Sequence, residues 1–95
     1  MNFVAVSTNT GDPGRYVAAE THALDELIHD GVVERVLLKA DYSGAVLLLK
    51  VTDEATARAT LDALPIAAHG LTRFALIPVV DPGQDPSEKT SALAR

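Results

Sequence analysis

Moving a proton next to a carbonyl needs a base whose affinity suits the working pH, and a donor for the oxygen that gains charge. Glu20 is the first candidate base. It lies three residues after Val17 and four before Leu24, so on a helix it borders an apolar stripe where desolvation would raise its pKa. The competing reading is a solvated flank residue, because Glu is rarely buried. His22, His29 and His69 are the side chains with unperturbed pKa values near neutrality. His22 and His29 read as surface residues of the same helix, His29 in its last turn facing the helix dipole. His69 precedes Gly70 in a connection where loop residues overhang pockets, and is the second catalytic candidate. No pair of these groups has metal-ligand spacing with a third ligand nearby.

Arg35 and Lys39 are four apart in an aliphatic segment, which on a strand puts them on one face with Val33 and Leu37. Cations there must reach an edge, pair with a carboxylate or bind an anionic ligand, and the last role would suit an acid-bearing substrate. Lys50 and Arg73 join them if the register allows. Tyr16 packs across the start of the first helix or donates a hydrogen bond into a cavity. Gly11 and Gly14 fall between a strand and a helix, yet neither the Gly-Lys-Ser/Thr of a phosphate loop nor the three-glycine dinucleotide fingerprint is present.

The elements that must position these residues follow from pattern. Residues 3–8 (FVAVST) read as a strand, closed by the breaker cluster at 9–14. A helix is expected from Pro13 or Arg15 to Asp30, with Val17, Thr21, Leu24 and Ile28 on its apolar stripe and Gly31 as its stop. Residues 32–40 and 45–51 form an antiparallel hairpin through Asp41, Tyr42, Ser43 and Gly44. Asp53 caps a second helix that runs to Leu64 and is ended by Pro65. Residues 71–80 make a fourth strand, with Pro78 tolerable on an edge. The order βαββαβ predicts a ferredoxin-like α+β domain over residues 1–80: a four-stranded antiparallel sheet with both helices on one face. The bare face calls for a second copy, so a homodimer or larger homo-oligomer is expected. Residues 81–95 read as a tail or an arm ordered on a neighbour, dispensable for folding in the first case.

Composition excludes several function classes. The chain has 95 residues, a net charge of −5 and scattered basic residues, so it lacks the clustered Lys and Arg of a nucleic-acid surface. Cysteine is absent, which removes thiolate chemistry and Cys-based metal sites. With no leader-like start and no long apolar run, the expectation is a cytoplasmic protein without a membrane span.

From Glu20 to Val80 the sequence resembles the muconolactone isomerase-like family of dimeric α+β barrel proteins. The resemblance is carried by GVVERVLLKADYSGAVLLLKV at 31–51 and ARATLDALPIAAHGLTRFALIPV at 57–79, with Leu-Pro after the second helix, Gly-Leu before the last strand and Ile-Pro closing it. It implies a dimeric barrel whose pocket near the sheet holds a small acidic or cyclic organic molecule, an oxygenated metabolite such as a lactone, enol or polyketide-like compound. The implied chemistry is isomerisation or cyclisation by side-chain proton transfer, with neither a metal nor an organic cofactor. Glu20 aligns with a Glu of the family's first helix. A cofactor-free monooxygenase of the same architecture, or a non-catalytic ligand-binding or assembly module, is the alternative.

Overall fold

The computed structural model describes residues 2–80. The expectation for the 81–95 segment lies outside them. Four strands, β1 (Asn2–Asn9), β2 (Val33–Leu38), β3 (Ala45–Lys50) and β4 (Thr72–Val79), form one sheet in the order β2-β3-β1-β4. Every neighbouring pair is antiparallel. Between them lie α1 (Val17–His29), preceded by a 3-10 turn at Gly14–Tyr16, then α2 (Glu54–Asp62) and the short α3 (Pro65–Ala68). This is the expected ferredoxin-like α+β arrangement, with one helix more than the sequence pattern predicts. Among the described residues no helix is long and apolar enough to cross a membrane.

Strand periodicity sorts the two faces. Phe3, Ala5, Val33, Leu47 and Leu49 are buried on the helix side with Ala57, Leu61 and Leu64. Helix α1 adds Ala23, Leu24 and Leu27 to this core, while Val17 and Ile28 remain 48% and 43% exposed. The packed stripe of α1 is therefore rotated from the expected one toward positions 23, 24 and 27. Ile28, about 100° further round the helix axis, falls off it. The opposite face carries Val4, Val6, Val46 and Leu48 in its centre and, among the described residues, no helix.

Helix ends follow local rules. Asp53 has an extended backbone and its Oδ1 accepts from the Thr56 N–H at 2.7 Å, the expected N-cap; that bond holds its carboxyl below the usual range. Gly31, with φ +78°, ends α1. Its N–H donates to the Ile28 carbonyl and that of Val32 to the Leu27 carbonyl, the paired bonds of a Schellman stop. Pro65, expected only to end α2, instead occupies the first position of α3, where a missing N–H costs nothing. Pro78 sits on β4, an edge strand bonded to β1 alone, as Pro in a sheet must.

One departure changes the functional reading. In β2 the register to β3 shifts between Val33 and Arg35, so Val33 opposes Leu49 while Arg35 opposes Leu48. Adjacent residues of β3 face opposite sides, and the bulge therefore turns Arg35 away from the face of Val33. Lys39 lies on Arg35's side, its Nζ donating to Thr8 Oγ1 at 3.0 Å. The expected common face for Val33, Arg35 and Lys39 is thus corrected.

Gly44 fixes the hairpin against β1. A Cβ built there would lie 2.0 Å from the Ser7 carbonyl oxygen, a backbone atom that cannot swing aside. Beside it, Ser7 Oγ accepts from the Ala45 N–H at 2.8 Å. Gly44→Ala must push the hairpin off β1 and is expected to cost about 2–3 kcal/mol, the upper range of overpacking penalties. Thermal denaturation checks this: a melting temperature unchanged within a degree or so would show that the hairpin yields freely.

Candidate functional site

Helix α1 packs tightly on the sheet only through its second half, and its first half stands off. The gap is a cavity of about 390 Å³, within the range of small-molecule pockets. Its walls are Val17, Glu20, Thr21 and Leu24 from α1, Val36, Leu38, Ala45 and Leu47 from the hairpin, Thr72 and Phe74 from β4, and Ile66 from α3. Ser7 and Asn9 of β1 and Pro13, Tyr42 and Gly44 of the loops complete it. Most of this surface is apolar, with a few convergent polar groups, the usual make-up of a ligand site.

Glu20 is the ionisable acid of that lining. It is partly buried, and its Oε1 accepts from the Ile66 N–H at 3.0 Å. Burial raises its pKa above the ordinary 4.5, and the Ile66 N–H offsets this only in part. Both readings of the residue are therefore physically present: it is a desolvated carboxyl at a cavity and a long-range cap for the first turn of α3. The two are compatible, since the bond uses one of two carboxylate oxygens.

The other candidates are distributed differently. Tyr16 and His69 meet in a parallel stack, ring centroids 3.9 Å apart at 13°, which ties the 3-10 turn to the end of α3. Neither ring belongs to the cavity lining, although Pro13, Val17 and Ile66 beside them do. Arg35 and Lys39 lie on the opposite face of the sheet. The structure does not bring them together with Glu20, because the β2 bulge and strand alternation direct them outward. His22 pairs with Glu26 at 3.0 Å on the exposed side of α1, and His29 is exposed as well. Lys50 pairs with Glu34 at 3.0 Å. Among the described residues no three His, Cys, Asp or Glu side chains gather where a metal ion could sit.

Reading the sequence alone misses Thr72, Asn9, Thr21 and Tyr42 as cavity residues. A signal exists for Thr72, since it alternates with Phe74 and Leu76 on the last strand and so shares their helix-facing side. Tyr42 reaches the cavity from a left-handed backbone, φ 60°, held by Asp41 Oδ1, which accepts from the Ser43 N–H at 2.9 Å. Nothing in the residue types announces that conformation.

The raised pKa of Glu20 fixes the sign of a pH effect. Its proton is held more tightly in the folded state, so the stabilisation it gives is full below pH 4.5 and is lost as pH rises through the higher folded pKa. Glu20→Gln keeps an acceptor for Ile66 but cannot ionise. Denaturant titrations should find this variant at least as stable as the parent at pH 7, with its relative advantage shrinking as pH falls through the folded pKa toward 4.5. Glu20→Ala, which leaves the Ile66 N–H without its acceptor, should lose about 1–2 kcal/mol, the cost of deleting a helix cap. Equal losses in both variants would mean that the carboxyl itself, not an acceptor of the same shape, matters at this position.

No family model and no curated protein matches the sequence. Among solved structures, the chain is similar to 5-chloro-2-hydroxyhydroquinone dehydrochlorinase (TftG) from Burkholderia phenoliruptrix AC1100 in complex with 2,5-dihydroxybenzoquinone. The TM-score is 0.68 and the identity 17%, over 84% of this chain and 94% of that one. At that identity the likeness is one of fold alone.

Proposed function

We propose that this protein is a cofactor-independent enzyme that moves a proton on a small oxygenated ring compound held between α1 and the sheet, with Glu20 as the proton carrier. The observation that carries this reading is the position of Glu20: a partly buried carboxyl with a raised pKa, set in the wall of a mostly apolar cavity. As a carboxylate it removes a proton from carbon next to a carbonyl, leaving an enolate. As the resulting acid it returns the proton to a conjugated carbon, so the double bond shifts with no gain or loss of electrons. The fold neighbour, a dehydrochlorinase in complex with a dihydroxybenzoquinone, supports a small oxygenated ring as the substrate class. Isomerisation or cyclisation is the reaction type we favour. In this scheme the Tyr16–His69 stack sets the width of the cavity's α1–α3 side.

Association belongs to the same proposal. The open face of the sheet has an apolar centre, with Val4 and Val6 of β1 beside Val46 and Leu48 of β3, and Ala75 and Ile77 of β4 next to them. Its cations, Arg35 and Lys39 on the β2 side and Arg73 on β4, stand at the two edges. An apolar centre with a charged rim is the layout of a subunit interface, and a second copy supplies the matching face. Sedimentation at micromolar concentration should show a homodimer, and Val46→Arg, which puts a charge in the centre, should give monomer. A monomeric parent protein would overturn the dimer.

A five-membered β,γ-unsaturated lactone in deuterated buffer tests the chemistry. The protein should speed its conversion to the conjugated isomer, with deuterium entering at the new C–H position by NMR. Glu20→Gln should reduce that rate about 100-fold or more, the usual worth of a general base. An unaltered rate in this variant would remove Glu20 from the mechanism.

A further inference from the structure

Thr72 begins β4 and lies opposite Asn9 of β1, at the end of the sheet nearest the first half of α1. Its Oγ1 is shielded from solvent and has no hydrogen-bond partner, alone in this among the side-chain atoms of the described residues. A buried hydroxyl left unpaired is unfavourable, and the residue that carries this one lines the cavity. A partner delivered by a bound molecule removes the penalty.

The charges around the same cavity are one-sided. Among the described residues its lining contains the carboxyl of Glu20 and no Lys, Arg or His. The nearest cations by element are committed elsewhere: Arg35, Lys39 and Arg73 lie on the far face of the sheet, and Arg58 of α2 donates to the Phe74 carbonyl at 2.6 Å. A ligand carboxylate placed here would lose its water and meet a like charge with no counterion. An uncharged carbonyl or hydroxyl oxygen meets neither cost.

From these two observations we infer that the cavity selects an uncharged oxygenated ring over a carboxylate-bearing one, and that the Thr72 hydroxyl positions it through a hydrogen bond to a ring oxygen. The inference rests on the proposed use of this cavity and narrows its substrate class. It replaces the expectation, drawn from residue spacing, of an acid docked on Arg35 and Lys39.

The test is an NMR titration at pH 7 with three probes: hydroquinone, methyl 2,5-dihydroxybenzoate and 2,5-dihydroxybenzoate. The two neutral probes should bind and shift the amides of Thr72, Phe74 and Leu24, and the carboxylate should bind at least about tenfold more weakly than its ester. Thr72→Val keeps the shape and removes the hydroxyl. It should weaken the neutral probes roughly three- to tenfold without lowering the melting temperature, whereas Thr72→Ser should retain their affinity. Glu20→Gln should narrow the gap between ester and carboxylate. Tighter or equal binding of the carboxylate, unchanged affinity in Thr72→Val, or no saturable binding of either neutral probe would overturn the inference. Failure of the proton-transfer reading is a separate result: lactone isomerisation that persists in Glu20→Gln while the probe preferences hold.

Discussion

The hydrogen bond from the Ile66 N–H to Glu20 Oε1 joins residues 46 positions apart and ties the first half of α1 to the start of α3. Helix α3 has only four residues, too few to be stable alone, and the carboxyl satisfies one of the N–H groups its start leaves open. In return, α1 is held by its first half to α3 while its second half lies on the sheet through Leu24 and Leu27. The cavity is the space this two-point attachment leaves. A shorter side chain at position 20 could not span it, and an apolar one would leave Ile66 unpaired. Glu20 is therefore constrained structurally and chemically at once, and the same partial burial that makes it a good cap raises its proton affinity.

A second constraint is the bulge in β2. Without it, strand alternation from Val33 would carry Arg35 to the helix side, where its charge would be buried among Leu47 and Leu49. The extra residue reverses the parity from Arg35 onward and lets Val36, not a cation, line the cavity. The outward cations are then accommodated by their own length. Lys39 reaches across to Thr8, and such stems cover apolar surface while their charged ends stay in water.

This marks the boundary of what the amino-acid order makes legible. The element order, the cap at Asp53, the stop at Gly31 and the edge position of Pro78 each depend on a residue and its immediate neighbours, and each is readable. Glu20 is readable as a border residue because helical spacing relative to Val17 and Leu24 is a local property. The bulge is not local: Val33, Arg35 and Lys39 look evenly spaced until β3 supplies a register. Helix α3 escapes notice because its cap comes from α1, and Pro65 carries the same signature whether it ends one helix or starts the next. Thr72 is legible as a helix-facing residue, but its lack of a partner depends on what surrounds it in space.

The separation of charge between the two faces of the sheet follows from these constraints. On one side a carboxyl stands in an apolar cavity; on the other, Arg35, Lys39 and Arg73 occupy the outer margins of an apolar face. The sheet between them is one residue thick, so no side chain can serve both sides, and a single parity change decides which chemistry each side receives. Had the cations pointed inward, Glu20 would have an ion-pair partner, its pKa would fall instead of rise, and the cavity would suit an acid. With them outward, the carboxyl keeps a high proton affinity and the apolar centre of the far face keeps a charged rim. The β2 bulge thus acts at once on the surroundings of Glu20 and on the open face of the sheet.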